Sequence, residues 1–352
     1  MTAHSAPADS AVLQTVPLGF QWPTIDPFLF CVHHLDHYPA GDGELGPNAS
    51  LAGRSIGNDF DPRSDEEGGG WRMYHGSHVP GFPQHPHRGF ETITFVRQGL
   101  IDHADSLGAT ARYGRGDVQW LTTGGGIQHA EMFPLLDTDA PNTVELFQIW
   151  MNLPAADKMV DAHFTMLWDH DIPRHVVTTG PDEPAVTVTV IAGRLADEVP
   201  PSPPPASYAS RPDADVALWH VTFDSGSSWT MPAAGEGVAR VLYVFEGDGI
   251  GIDGEDIGGS TGAVVDATRE LRITSAGPTE MLVMQGRPIG EPVAQQGPFV
   301  MNTDDEIRQA FSDYRATQFG GWPWDSPDPT HGHDDTRFAR HADGRVEHAA
   351  HA

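Results

Sequence analysis

The sequence predicts an all-β protein built in two halves, with a single helix near the C-terminal end. Three observations predict it. Apolar and polar residues alternate with period two in several short runs; Gly and Asp clusters separate those runs; and 352 residues exceed what one core usually organises, which favours two domains. Many short strands with frequent turn signals point to sandwich or barrel architecture in each half.

Along the chain, Phe28-Leu29-Phe30-Cys31-Val32 is an apolar run that reads as a buried strand, with Cys31 as an inert thiol inside it. Residues from about Ala40 to Gly70 are rich in Gly, Asp, Asn and Ser, and read as an irregular insert. Glu91 to Val96 is strand-like, as are Val186 to Val190, Trp219 to Phe223, Val241 to Phe245 and Leu271 to Thr274. Pro200 to Pro205 holds five prolines and cannot lie inside a sheet, because proline donates no ladder hydrogen bond; a loop within the second half fits best. Gly249 to Gly254 matches G-x-G-x-x-G, but no helical pattern follows, so a glycine-rich hairpin is expected rather than a dinucleotide site. Thr303 and Glu306 form a capping box, and Ile307, Ala310, Phe311 and Tyr314 recur at helical spacing behind it. Beyond Gly320 the chain is polar and His-rich and reads as an extended or frayed tail. These features set expected domains at residues 1–154 and 155–302, a helix at 303–320 and a tail at 321–352.

Charge and composition exclude several functions. The formal net charge is −29 and Lys158 is the sole lysine, so the surface repels phosphate and direct contact with DNA or RNA is not expected. Cys31 stands alone, so no disulfide can form within the chain. No run of 18 apolar residues is present, and residues 1–12 show neither a positive n-region nor an apolar h-region. A cytoplasmic protein without a membrane span is the expectation.

The chemistry concentrates between Phe82 and Glu131. His85-Pro86-His87 opens this stretch and His129-Ala130-Glu131 closes it. Residues i and i+2 of a strand point to one face, so each motif projects two ligands to one side. If the two strands pair or face each other, three imidazoles and one carboxylate converge into a site suited to a first-row metal. An isolated His-Pro-His would read as a turn with two surface imidazoles. Here it is matched by a second motif placed after the turn glycines Gly124 to Gly126, and the pair reads as a metal site. His331-Gly332-His333 has the same spacing but no partner motif, and is read as part of the tail. His33, His34 and His37 are read as pocket-wall or surface residues.

The segments Phe82 to Thr92, Asp117 to Glu131 and Gly297-Pro298-Phe299-Val300-Met301-Asn302-Thr303 resemble the signatures of the pirin family. The resemblance runs from about Asp26 to Gly320. It implies two tandem cupin barrels of double-stranded β-helix (jelly-roll) type followed by a helix, with a metal in the N-terminal barrel. It implies one mononuclear divalent metal, Fe2+ first, held by His85, His87, His129 and Glu131; Ni, Mn, Co, Cu and Zn also accept such ligands. In many other cupins the carboxylate ligand follows the H-x-H pair directly, where Glu91 stands. The pirin pattern assigns that role to Glu131 and leaves Glu91 a supporting or structural one. The second barrel has Trp229-Thr230-Met231-Pro232-Ala233 where a ligand pair would fall, so no metal is expected there. The insert near Ala40–Gly70 departs from the compact pirin pattern, and its place beside the first histidine motif suggests that it narrows or lids the metal mouth.

The resemblance implies a quercetin 2,3-dioxygenase-like activity: ring opening of a flavonol by O2, with Glu131 as both ligand and general base. The alternative is a non-enzymatic, iron-dependent, redox-sensing regulator that docks onto a protein partner. A third reading is a metal-dependent enzyme on another small aromatic or diketone substrate.

Overall fold

The computed structural model describes residues 10–65, 69–178, 180 and 183–350, with side chains at 63–65 and 69 left aside. Strands dominate, and Asp304–Thr317 is the one α-helix among the described residues. None of the described helices is long and apolar enough to cross a membrane.

The chain forms two compact units. Neither is one continuous stretch, so the chain does not divide at a single cut near residue 154. One unit takes residues 1–32, 149–154 and 171–290; the other takes 33–148, 155–170 and 291–352. The reason lies in strand pairing. Val12–Pro17 runs antiparallel to Thr261–Val265, which assigns the start of the chain to the unit formed mostly by its second half.

That first unit holds a seven-stranded sheet ordered Val12–Pro17, Thr261–Val265, Ala239–Glu246, Thr279–Gly286, Ala217–Phe223, Val186–Ala192 and Arg174–Val177. A four-stranded sheet completes it, ordered Ser228–Met231, Leu271–Thr274, Gly249–Ile252 and Glu255–Gly258. The inward residues of both sheets, among them Val188, Trp219, Val221, Ile250 and Ile273, share one core. Alternation with period two is what lets these strands bury one face. Trp229 and Met231 are also buried in that core. The glycine-rich Gly249 to Gly254 segment is a hairpin, with Asp253 and Gly254 at φ 49° and 88° closing the turn. The prolines at 200–205 lie in the connection between Val186–Ala192 and Ala217–Phe223, within this unit. Cys31 is fully buried, and desolvation pushes its thiol far above the usual range.

The other unit has a six-stranded sheet ordered Val346–His348, Phe338–Arg340, Thr110–Gly114, Leu100–Asp105, Ile127–Met132 and Gly81–His87. A second sheet is ordered His163–Leu167, Val118–Thr122, Phe90–Gln98, Asn142–Asn152 and Phe28–Tyr38, with residues 149–152 and 28–32 of the last two strands belonging to the first unit. Val96, Ile101, Tyr113, Leu121, Ile127 and Phe164 pack between them. The helix Asp304–Thr317 is capped by Thr303, whose Oγ1 accepts from the Glu306 N–H at 3.3 Å, and it buries Ile307 and Ala310.

One expectation needs correction. Residues 321–350 are not a frayed tail: Phe338–Arg340 adds a strand to the edge at Thr110–Gly114 and then pairs with Val346–His348. The anchor is a buried ion pair. Arg112 meets the Asp102 carboxylate with two contacts of 2.6 Å, and its guanidinium also donates to the Gly332 and Asp334 carbonyls. The insert is irregular along most of its length, as its composition suggests, and side chains hold it in place. Arg54 lies over the Trp71 ring at 3.4 Å and binds Asp59, and Asp59 and Tyr74 exchange backbone hydrogen bonds of 2.8 and 2.9 Å. Residues 66–68 of the insert lie outside the described residues.

Candidate metal centre

The strand Ile127–Met132 is the middle of three. Gly81–His87 pairs with it on one side, placing His129 opposite His85, and Leu100–Asp105 pairs on the other, placing Glu131 opposite His103. Directly opposed residues share a face, so the pairing brings His129 to His85, while Glu131 falls outside the group of three histidines. A register shift between His129 and Glu131 sets Glu131 opposite Phe82 on the first side. The turn before the strand needs glycine: Gly126 has φ 130°, and a Cβ there would lie 2.7 Å from the Phe319 ring.

His85, His87 and His129 each offer one ring nitrogen, and these lie within 4.8 Å of one another. Ring centroids are 4.4 Å apart for His85 and His129, 5.0 Å for His87 and His129, and 4.8 Å for His85 and His87. Glu131 Oε2 is 3.8 Å from His129 Nε2. The Nδ1–H of His85 donates to the Pro83 carbonyl at 2.8 Å, and that of His87 faces the Pro298 carbonyl at 3.4 Å. Such contacts fix the tautomer and leave Nε2 as the lone-pair nitrogen. Both ring nitrogens of His129 are buried without a hydrogen-bond partner. An orphaned polar atom in the interior is costly, which marks this ring as waiting for a partner.

Burial holds all three imidazoles neutral. His85 is lowered to about 4, chiefly by desolvation, and His87 and His129 fall well below the usual range for the same reason, with neighbouring histidines adding to it. Neutral imidazole is the metal-binding form. Burial raises the Glu131 carboxyl, opposed by His103 and by hydrogen bonds from Thr94 and Tyr113. Thr94 Oγ1 donates to Glu131 Oε1 at 3.1 Å, while the Tyr113 hydroxyl stands off at 3.5 Å.

Glu91 is fully buried and accepts from Thr122 Oγ1 at 2.7 Å and Trp120 Nε1 at 3.2 Å, so its carboxylate ties two adjacent strands. His33 bonds Glu145 at 2.9 Å, and His34 Nδ1 bonds the Tyr74 hydroxyl at 2.8 Å. His37 faces Thr143 at 3.5 Å. His331 bonds the His103 carbonyl at 2.8 Å and serves to dock the C-terminal segment.

Two residues escape a reading based on the paired motifs. His103 is fully buried beside the cluster, 5.6 Å from His129 by ring centroid, with Nε2 held 3.3 Å from Asp105 Oδ2 and Nδ1 without a partner. Its signal was present, since His103-Ala104-Asp105 repeats the two-residue spacing on a third strand. Gln128 fastens the site strand to its surroundings: its Oε1 accepts from Gln84 at 2.8 Å and Tyr314 at 3.0 Å, and its Nε2 donates to the Gln318 and Gly321 carbonyls at 2.6 and 3.0 Å. The Gln84 N–H, beside His85, donates to the Pro327 carbonyl at 2.7 Å, so the C-terminal segment also holds the first motif.

Two family models match this chain: Pirin over residues 50–151 and the Pirin C-terminal cupin domain over residues 218–320. A Pseudomonas aeruginosa protein named "Putative quercetin 2,3-dioxygenase" is 36% identical over 241 residues, covering 68% of this chain and 80% of its own length. Human Pirin is 33% identical over 255 residues, covering 70% of this chain and 80% of its own. Among solved structures, a quercetin 2,3-dioxygenase from Acinetobacter baumannii superposes with a TM-score of 0.67 at 24% identity, over 88% of this chain and 98% of that one, which speaks to the fold. With two sheets around each core, matching models in both halves and relatives aligned over four fifths of their length, the chain belongs to the pirin family of two-cupin proteins.

Proposed function

We propose that this protein is a metal-dependent dioxygenase that opens the ring of quercetin or a similar flavonol, with one divalent metal, Fe2+, held by His85, His87, His129 and Glu131. The observation that carries the reading is the close trio of neutral imidazoles, His87 and His129 buried and His85 partly so, with His129 lacking any partner for either nitrogen. Two of the rings already spend Nδ1 on backbone carbonyls, as metal-bound histidines do. Three nitrogens and a carboxylate suit a borderline first-row ion. The donor set therefore fits the group.

Bound there, such a metal supplies a Lewis-acidic, redox-capable centre that favours a deprotonated hydroxyl and can engage O2. The protein supplies the rest. Thr94 Oγ1 stands 3.1 Å from Glu131 Oε1, and Oε2 lies on the His129 side, which supports a role for Glu131 in taking the proton of a substrate hydroxyl. Phe82, partly exposed, lies 6.3 Å from His85 and is backed by the buried rings of Tyr74 and Phe133, which supports an aromatic face beside the cluster for a planar molecule. The names of the Pseudomonas and Acinetobacter relatives support the same substrate class.

The test is metal analysis of the purified protein coupled to oxygen uptake with quercetin. Uptake with release of carbon monoxide is expected from the iron-loaded protein. No uptake with iron, nickel, manganese, cobalt or copper loaded would remove the enzyme and leave the regulator that docks onto a protein partner. For the ligand set, His129→Ala should lose bound metal; full occupancy in that variant would overturn it.

A further inference from the structure

The insert contributes Phe60, and nothing so far assigns it a role. This phenylalanine is 36% exposed, yet its ring is held on three sides. It meets Tyr74 edge-on at 5.5 Å and His75 edge-on at 5.1 Å, and lies tilted 6.4 Å from Phe82. Phe82 in turn is 6.3 Å from His85. The rings thus form a continuous strip from the surface to the histidine cluster. The support beneath is rigid. Asp59, next to Phe60, is buried, accepts from Arg54 at 2.8 Å and the Met73 N–H at 3.1 Å, and pairs its backbone with Tyr74. His75 is fixed by the Gly57 carbonyl at 2.7 Å. A mobile loop would not be tied at both ends in this way; a platform would.

We infer that Phe60 is a specificity-determining residue that stacks the outer ring of a planar aromatic ligand whose oxygen donors reach the histidine cluster. The occupant follows from the chemistry of the strip. An apolar aromatic surface ending at a metal-ligand set selects a flat, hydroxylated polycyclic molecule over a small aliphatic chelator, which can use only the cluster. This inference rests on the reading under Proposed function for the identity of the site, and it adds the residue that reads the substrate's far end.

The experiment measures equilibrium binding of quercetin to the metal-loaded protein by fluorescence, with acetohydroxamate as an aliphatic chelator control. Phe60→Ala should weaken quercetin binding about ten-fold, in keeping with the worth of a well-placed aromatic pair, and Phe60→Trp should restore it. Acetohydroxamate binding and metal content should not change in either variant. Phe60→Leu keeps most of the bulk without the aromatic face and should behave as the alanine variant does. Quercetin binding that is equal in wild type and Phe60→Ala, or that falls together with acetohydroxamate binding, overturns the proposal. Oxygen uptake is recorded on the same samples. Its absence alongside Phe60-dependent binding defeats the dioxygenase alone, whereas uptake with an unchanged KM in Phe60→Ala defeats the platform alone.

Discussion

Replacing Arg112 with alanine tests how far the unit that carries the histidine cluster depends on its C-terminal segment. Arg112 and Asp102 are both essentially fully buried and meet through two contacts of 2.6 Å. Removing the guanidinium leaves the Asp102 carboxylate inside the protein, facing the His331 N–H at 2.8 Å, and frees the Gly332 and Asp334 carbonyls. Breaking a buried pair from one side costs about 3–5 kcal/mol, because the surviving charge stays desolvated. A unit of this size shifts its melting temperature by about 2–4 °C per kcal/mol, so Tm should fall by about 6–20 °C in a thermal scan. Trypsin should at the same time cut faster at Arg337, Arg340 and Arg345, which the docked hairpin now holds in place. The double variant Asp102→Leu with Arg112→Met should recover much of the loss, since an apolar pair leaves no charge stranded. A fall of less than about 2 °C with unchanged proteolysis would refute the reasoning, because the pair would then be worth no more than a surface contact.

Three further outcomes are expected. Glu131→Gln should lower metal retention, whereas Glu91→Gln should cost about 1–2 kcal/mol of stability in urea unfolding while keeping metal stoichiometry; metal analysis showing the reverse would exchange their roles. His34 is lowered to about 3 by burial and by Arg72, against 6.5 for an ordinary imidazole. The unfolded chain therefore takes up this proton first as pH falls, so stability present above pH 6.5 is lost toward pH 3, at about 1.4 kcal/mol per pH unit. In metal-free protein, His34→Gln should remove about 2 kcal/mol of the loss measured between pH 7 and pH 5; an identical pH slope in both proteins would contradict this. Gln128→Leu breaks four hydrogen bonds beside His129 and should speed metal release to a chelator in stopped-flow mixing, with wild-type kinetics counting against its positioning role.

The features visible in the sequence are those that local pattern encodes. Alternation at Val186 to Val190 and Trp219 to Phe223 became strands in one sheet, the capping box at Thr303 began the helix, and the glycines near Gly249 closed a hairpin. The histidine motifs could be read because two residues of spacing is the period of a strand. His103 had that same spacing, with the turn glycine Gly99 before its strand, but its partner two residues on is Asp105, which anchors the ring, so the motif did not read as a ligand pair. Pairings between distant segments were invisible for a different reason. Nothing near Val12 specifies Val265, and nothing near Phe338 specifies Arg112, because those edges are chosen by what remains open once each sheet has formed. The order of the insert also escaped, since it depends on Arg54, Asp59 and Trp71 meeting in space while its composition is that of a loop.

The pairing of Phe338–Arg340 with Thr110–Gly114 bears on how the protein is made. Arg112 waits for carbonyls 220 residues further along the chain. While the ribosome adds that intervening length, the strand Thr110–Gly114 presents open backbone donors and acceptors, the kind of edge that recruits strands from other chains. A nascent chain halted before Pro327 keeps this edge exposed and leaves the Gln84 N–H, beside His85, without its Pro327 partner. Self-association of stalled or C-terminally clipped chains is the biogenesis hazard that this late strand pairing creates.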